Sequence, residues 1–379
     1  MNGKAKWLNP LVKDFDIDMK ILDWYIIKKF LSTFFFTMLL ITMIAITINY
    51  FEQVDKFLDS GLTTKEIAVG YYLHFVPWIN GLLWPLFALL AVIFFTSRMA
   101  KNSEIISILS AKVSYRRFLV PYMTGAGILA ILLWVGNNYV IPKSNRLKNE
   151  FESTYIRSSA KKTLSANIHF WLSPTEKVYI RFYNESDSSG RSFRFERFAN
   201  NQLIYTLKAN RIAFAGAPNK WRLEGYEERK FDDLTESLSS YPNSNKDTTF
   251  SFMPQDFVRY TKQMEMMNTS DLREFLKYEK EKGLDSGKKY SIELYRRTAD
   301  PFTIFILTLI GVSVASRKVR GGMGFHLAAG VVIGAIFVIL SKFSTTFSTN
   351  LNLPPGLGVW IPNIFFSAIA FYLVKTAQK

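Results

Sequence analysis

The sequence predicts a membrane α-helical protein of six transmembrane helices, three plus three, with an all-β jelly-roll-like domain inserted between the two halves. Three observations carry this. Six apolar runs cluster at the two ends of the chain, the stretch between them alternates polar and apolar residues, and the basic residues collect on one side of the runs. Crossing the ~30 Å hydrocarbon layer takes about 20 apolar residues, because each helical residue rises only ~1.5 Å. Runs 30–49, 67–97, 118–141, 301–316, 323–340 and 357–374 reach or approach that length, and stretches 34–47 and 304–314 hold no charge. Buried helices of a soluble protein would need a far larger domain around them.

The formal charge of +16 could suggest nucleic acid, so its location matters more than its sign. Segments 1–29, 98–117, 317–322 and 375–379 carry sixteen Lys and Arg against five acidic residues, whereas the short connections 50–66 and 341–356 hold only Lys56, Lys65 and Lys342. This is the positive-inside pattern, with both termini in the cytoplasm. The basic balance therefore reports topology, and no nucleic-acid partner is expected. Residues 1–18 are polar and lack the apolar core of a signal peptide, so they are read either as a cytoplasmic tail or as the product of a start codon misplaced ahead of Met19, and the first helix is expected to do the targeting.

Residues 19–141 hold helices 1–3. The middle then divides into a β-domain over 142–254 and a helical return segment over 255–300, before helices 4–6 over 301–379. Val178, Ile180 and Phe182 alternate with Tyr179, Arg181 and Tyr183, and Phe193 and Phe195 with Arg194 and Glu196, which is the period-2 signature of strands. Turn-rich stretches at 185–190 and 216–219 separate them. After Pro254 the helical period returns: Ser270 or Asp271 can cap a helix bearing Leu272, Phe275 and Leu276, with Gly283 to end it. A second helix from about Ser291 runs into the fourth span, with a bend expected at Pro301.

Little in the chain suits catalysis. His74, His169 and His326 lie in different segments without ligand spacing, and the absence of cysteine removes thiol chemistry and disulfides. Gly283-Leu-Asp-Ser-Gly-Lys-Lys289 is one residue short of a phosphate loop and has Lys where the magnesium-binding hydroxyl would stand. No enzyme activity, metal or cofactor is expected.

The connection 98–117 is more informative. Over 102–114, Ile105, Ile106, Ile108, Leu109 and Val113 cover one broad helical face, and Glu104, Ser107, Ser110 and Ala111 a narrow small-residue face. Spacing alone leaves two readings open, a membrane-surface connector or a helix that docks against another protein. The stretch Ser103-Glu-Ile-Ile-Ser-Ile-Leu-Ser-Ala-Lys-Val-Ser114 resembles the coupling helix of the LptF/LptG family of lipopolysaccharide export permeases. Leu22-Asp-Trp-Tyr-Ile26 looks like the family's opening motif and favours its LptG arm. Asp55-Lys-Phe57, Asn268-Thr-Ser-Asp-Leu272 and 290–301 stand where its outside loop and its return to the membrane lie. Lys112 departs from the pattern, standing where relatives often have glycine.

The resemblance implies a permease subunit of an ATP-driven exporter. It would pair with an LptF-type sister permease and two copies of an LptB-type cytoplasmic ATPase, and pass lipopolysaccharide to periplasmic LptC- and LptA-type jelly-roll proteins. Glu104, Ser107, Ser110 and Ala111 then become the ATPase-coupling residues. A lipid rich in phosphate needs cations on the outer side, for which Lys56, Lys65, Arg296 and Arg297 are candidates, although each could merely snorkel at the interface. Val178, Ile180 and Phe182 could shield acyl chains inside the β-domain, yet the same residues would line the core of any sandwich. Three rivals remain: the sister LptF-type subunit, a mechanical transmission protein that passes no lipid, and a membrane-anchored periplasmic protein.

Overall fold

The computed structural model describes residues 20–377 apart from 157–160, 164–165, 174, 185, 200–201, 233–234, 255–257, 261–262, 282–286, 318–321 and 352. The expected tail 1–18 and the helix-ending Gly283 lie outside the described residues. Six of the described helices are long and apolar enough to span a membrane. The first is α1 (Ile21–Asp59), whose N-terminus is closed by the Asp23 carboxylate accepting the Lys20 amide at 2.8 Å. The second joins α2 (Thr64–Ile67) to α3 (Leu73–Lys101) through a π-helical turn, after a short loop. Thr63 and Glu66 exchange side-chain and backbone bonds there and start the helix. Helix α4 (Glu104–Ser110) follows, then a third span built from α5 (Tyr115–Val135) and α6 (Ile141–Phe151).

The third helix does not stop at residue 142, where the β-domain was expected to begin. It continues as one rod to Ile156, and the first strand starts at Lys161. Pro142 is harmless because it occupies the first turn of α6, just after a π-helical turn, where a missing amide hydrogen costs no ladder bond. On the return side, α7 (Thr269–Glu281) leads to α8 (Gly287–Ala315), which runs from the return segment through Pro301 into the fourth span as one helix. Helices α9 (Gly322–Asn350) and α10 (Pro355–Ala377) complete the set.

Helix α8 is central, packed against α3, α5 and α10. In the most apolar stretch of α8, 61% of the residues are buried, against 11% in α1 and 17% in α9. Inside a bilayer apolar contact with lipid is as favourable as contact with protein, so association depends on close packing and interhelical hydrogen bonds. Both are present. Phe30 of α1 lies so near Gly125 of α5 that a Cβ there would sit 2.7 Å from its ring. Thr42 donates to Asn80 at 2.6 Å, Thr96 to Tyr122 at 3.1 Å and Thr303 to Asn363 at 2.8 Å.

The inserted domain is an antiparallel meander in which β2 (Ala166–Ser173), β3 (Glu176–Asn184), β4 (Ser189–Ala199), β5 (Gln202–Gly216), β6 (Lys220–Asp232) and β7 (Thr235–Thr249) lie in sequential order, with β1 (Lys161–Thr163) paired to β8 (Val258–Tyr260) apart from them. Val178, Ile180, Phe193, Phe195, Leu207, Ala209, Trp221 and Leu223 share one buried cluster, covered by Phe250 and Phe252 from the chain after β7. The Trp221 indole donates to the Phe252 carbonyl at 3.1 Å, and the rings of Phe250 and Phe252 stack 5.1 Å apart.

Phe182 corrects the sequence expectation. It is 51% exposed, whereas Tyr183 is 4% exposed and takes the inward place. The alternation slips between Ile180 and Tyr183, and between Phe193 and Gly190 on the paired strand. Ser192 has φ +54°, and Gly225 with φ +59° marks the break in the register of β6 with β7. Left-handed residues of this kind bend a strand and re-aim its side chains, so the sheet turns a corner along this line.

Candidate functional site

Helix α4 lies between two chain reversals. Ser103 before it has φ +63° and Lys112 after it has φ +64°, with the Lys112 amide bonded to the Leu109 carbonyl at 3.1 Å. The left-handed backbone at Lys112 accounts for the glycine that the family pattern favours there, since glycine has no Cβ to strain in that conformation. Seven residues cannot sustain a helix on their own propensity. Burial of Ile105 in the core of the bundle, with Ile108 packed on it, holds α4 in place.

The single broad apolar face expected from the sequence is divided in the structure. Ile105 is 2% exposed, but Ile106 and Leu109 are 53% and 36% exposed and lie beside exposed Ser107, Ser110, Ala111 and Lys112. At 100° per residue, 105 and 108 share one flank and 106 and 109 the next, and so short a helix can turn only one flank to the bundle. The outward surface is therefore both apolar and small. Glu104 is half-buried at its start, accepting from Asn102 Nδ2 at 3.1 Å and Tyr25 Oη at 3.4 Å. The Ser107 hydroxyl donates to the Ser103 carbonyl at 3.1 Å.

Toward the opposite end of the bundle a cavity of about 270 Å³ opens between α3, α6, α8, α9 and α10. Apolar Leu82, Leu86, Leu307 and Phe337 line it, together with Asn145, Glu265, Glu293, Arg296, Arg297, Asp300 and Lys342. The sequence brought two of these cations forward, and the structure places them differently. Arg297 is 3% exposed and donates to Thr269 Oγ1 at 2.9 Å, to the Met267 and Met264 carbonyls at 2.8 and 3.2 Å, and to Glu293 Oε1 at 3.3 Å. It staples α8 to the segment entering α7, and Thr269 passes the connection on to Asn138 at 2.5 Å. Arg296 is half-exposed, 3.3 Å from Glu293 and 3.7 Å from Asp300. Lys56, bonded to Gln53 at 3.0 Å, and exposed Lys65 do not line the cavity. Lys342, which sequence reasoning used only to count charge, does. A single charge within the fifth spanning helix was its one available signal.

In the β-domain, Val178 and Ile180 are fully buried among the domain's own aromatic residues. Phe182 lies apart from them with the Arg181 guanidinium 5.4 Å from its ring. The three candidate lipid-shielding residues thus do not form one surface.

The sequence comparisons agree with this architecture. The family model described as "Lipopolysaccharide export system permease LptF/LptG" matches residues 24–376. The lipopolysaccharide export system permease protein LptG of Escherichia coli (strain K12) is 21% identical over 356 residues, covering 93% of this chain and 98% of its own length. The protein of that name from Haemophilus influenzae is 19% identical over 358 residues, with the same coverage. Both relatives carry the name of the arm to which the Leu22-Asp-Trp-Tyr-Ile26 opening points. With nearly every span and the whole β-domain inside the matched region, this chain belongs to the LptF/LptG family of lipopolysaccharide export system permeases.

Proposed function

We propose that this chain is the LptG-type permease subunit of an ATP-driven lipopolysaccharide exporter, set in the bacterial inner membrane with its termini in the cytoplasm and its β-domain in the periplasm. The observation that carries the proposal is the short helix α4, fixed to the bundle through Ile105 and presenting Ile106, Ser107, Leu109, Ser110 and Ala111 outward. An apolar flank edged by small residues suits insertion into a groove of a second protein, and Glu104 at its rim can meet a basic group there. ATP is hydrolysed by that second protein, an LptB-type ATPase. An LptF-type subunit completes the membrane portion, packing on α1 and α9, the least enclosed of the described spanning helices. LptC- and LptA-type proteins receive the lipid outside.

Lipopolysaccharide combines acyl chains with phosphate, and the outer part of this molecule offers both matching chemistries. Arg296 and Lys342 at the cavity, and Lys56 and Lys65 at the outer ends of the first two helices, are the cations that face its headgroup. Arg297 acts through the fold of the return segment. The β-domain receives acyl chains along the interior that Val178 and Ile180 help to build, once the covering Phe250 and Phe252 yield.

Glu104→Lys tests the proposal in purified complex reconstituted in vesicles, with retained ATPase and released lipid measured together. Truncating one member of a buried charged pair costs about 2–5 kcal/mol, so loss of bound ATPase or of lipid release is expected. Both quantities at wild-type level would make α4 a membrane-surface connector.

A further inference from the structure

The family motif at the start of α1 has no assigned task in the reading above, yet it forms a two-point ion pair at the α4 end of the bundle. Asp23 is 4% exposed. Arg117, in the first turn of α5, grips it with both terminal nitrogens, Nη1 to Oδ1 at 2.8 Å and Nη2 to Oδ2 at 2.5 Å. Two residues on, the Tyr25 hydroxyl reaches Glu104 at 3.4 Å. The segment that carries α4 is therefore tied to α1 at both ends, at its entrance through Glu104 and at its exit through Arg117.

We propose that Asp23 and Arg117 are the transmission pair of the exporter, a rigid link through which movement of α4 is imposed on α1. The inference rests on the coupling reading of α4 given above. Three features make α1 the element that such a link would drive. It is the least enclosed of the spans, so it can tilt without dismantling the core around α8. It enters the bundle core near the link through Ile26, Phe30 and Phe34, and past a middle stretch where Phe35, Phe36, Leu39, Leu40, Met43 and Ile44 are exposed it meets the bundle again, Thr42 at Asn80 and Phe57 at Tyr71 and Phe75, so movement at the link is delivered to that second contact. And it is a single helix of 39 residues, about 58 Å at 1.5 Å per residue, so a small rotation at one end becomes a large displacement at the other. A bidentate arginine–carboxylate pair suits this role because two parallel bonds fix orientation as well as distance. One contact from Tyr25 would act as a hinge, and two contacts flanking α4 make a bracket.

Asp23 also caps α1 by accepting the Lys20 amide, so the decisive variant must separate cap from link. Asp23→Asn does so, since an amide oxygen still accepts from Lys20 but the ion pair is lost. In reconstituted complex the variant should keep its ATPase subunit and its hydrolysis, while lipid released per ATP falls about tenfold or more, the scale of stranding a charge in a buried pair. The exchanged variant, Asp23→Arg with Arg117→Asp, should recover most of that ratio, which a purely capping role would not. Because the chain has no cysteine, Asp23→Cys with Arg117→Cys supplies a third measurement, in which a short bis-maleimide that spans the length of the arginine side chain restores coupling that the uncrosslinked pair lacks. An unchanged ratio in Asp23→Asn would overturn the inference, as would loss of the bound ATPase in that variant or a crosslink that leaves coupling low. A wild-type complex that binds no ATPase or releases no lipid would instead defeat the coupling reading itself, so the two failures are distinguishable.

Discussion

Arg297 shows how one side chain can be legible in its charge and hidden in its task. From the sequence it is one of two adjacent cations before the fourth span, and interfacial position suggests contact with lipid phosphate. In the structure its donors are taken by Thr269, two backbone carbonyls and Glu293, and little of it meets solvent. The i,i+4 spacing from Glu293 was readable, but the carbonyls of Met264 and Met267 come from a segment that only the fold brings near. Removing the cation leaves the buried Glu293 carboxylate with only Arg296 beside it and two carbonyls short of a donor. Arg297→Met should therefore destabilise the return segment by about 3–5 kcal/mol, seen as faster proteolysis around α7 and a lower melting temperature of the purified protein. Arg296→Ala, at a side chain 37% exposed, should leave melting nearly unchanged and lower lipopolysaccharide crosslinking instead. Equal loss of stability in both variants would refute this division of labour.

At the scale of elements, helices and strands differed in how much the sequence revealed. A membrane span is specified by length and apolarity, which are sums over many residues, and each of the six expected runs lies within one of the spanning helices except that run 301–316 ends one residue past α8. Their ends were less legible, because α1 and the third helix continue as amphipathic rods into water, where no apolar run marks them. A strand depends on alternation, which is local, and one left-handed residue resets it. Nothing about Ser192 as a residue type announces φ +54°, so Phe182 was grouped with Val178 and Ile180 although Tyr183 takes the inward position. Tyr183→Ala should cost about 3 kcal/mol through the cavity it leaves, making the β-domain markedly more sensitive to limited proteolysis in the intact protein. Phe182→Ala should change that sensitivity little, by the equivalent of about 0.5 kcal/mol or less. The reverse ranking would restore the uninterrupted alternation. Helix α4 lies between these cases: its amphipathic residues were visible, but which flank faces the bundle was decided by the two reversals at Ser103 and Lys112.

For the whole molecule, the fold groups the loops into two ends, and the charge count assigns each end to a side. Tyr115, just after α4, lies 3.5 Å from Ser316 after α8, and Arg317 donates to the Thr376 carbonyl at the end of α10. These contacts bring the segment that carries α4, the residues just after α8 and the end of α10 together. At the other end Tyr71 donates to Glu152 at 3.1 Å and Thr269 to Asn138 at 2.5 Å, so the connection between the first two spans and both flanks of the β-domain share one side. Geometry thus leaves two mirror choices of orientation, and the sixteen Lys and Arg of the first end favour the cytoplasm for it. The absence of native cysteine makes the choice directly measurable. Single cysteines at exposed Ser186 and Ser244 in the β-domain, and at exposed Asn350, the last residue of α9, should react with a membrane-impermeant thiol reagent in intact spheroplasts. A cysteine at exposed Ser110 on α4 should react only after the membrane is opened. Labelling of Ser110→Cys in sealed cells together with protection of the other three would invert the molecule, place α4 beyond the reach of any cytoplasmic ATPase, and end the coupling reading.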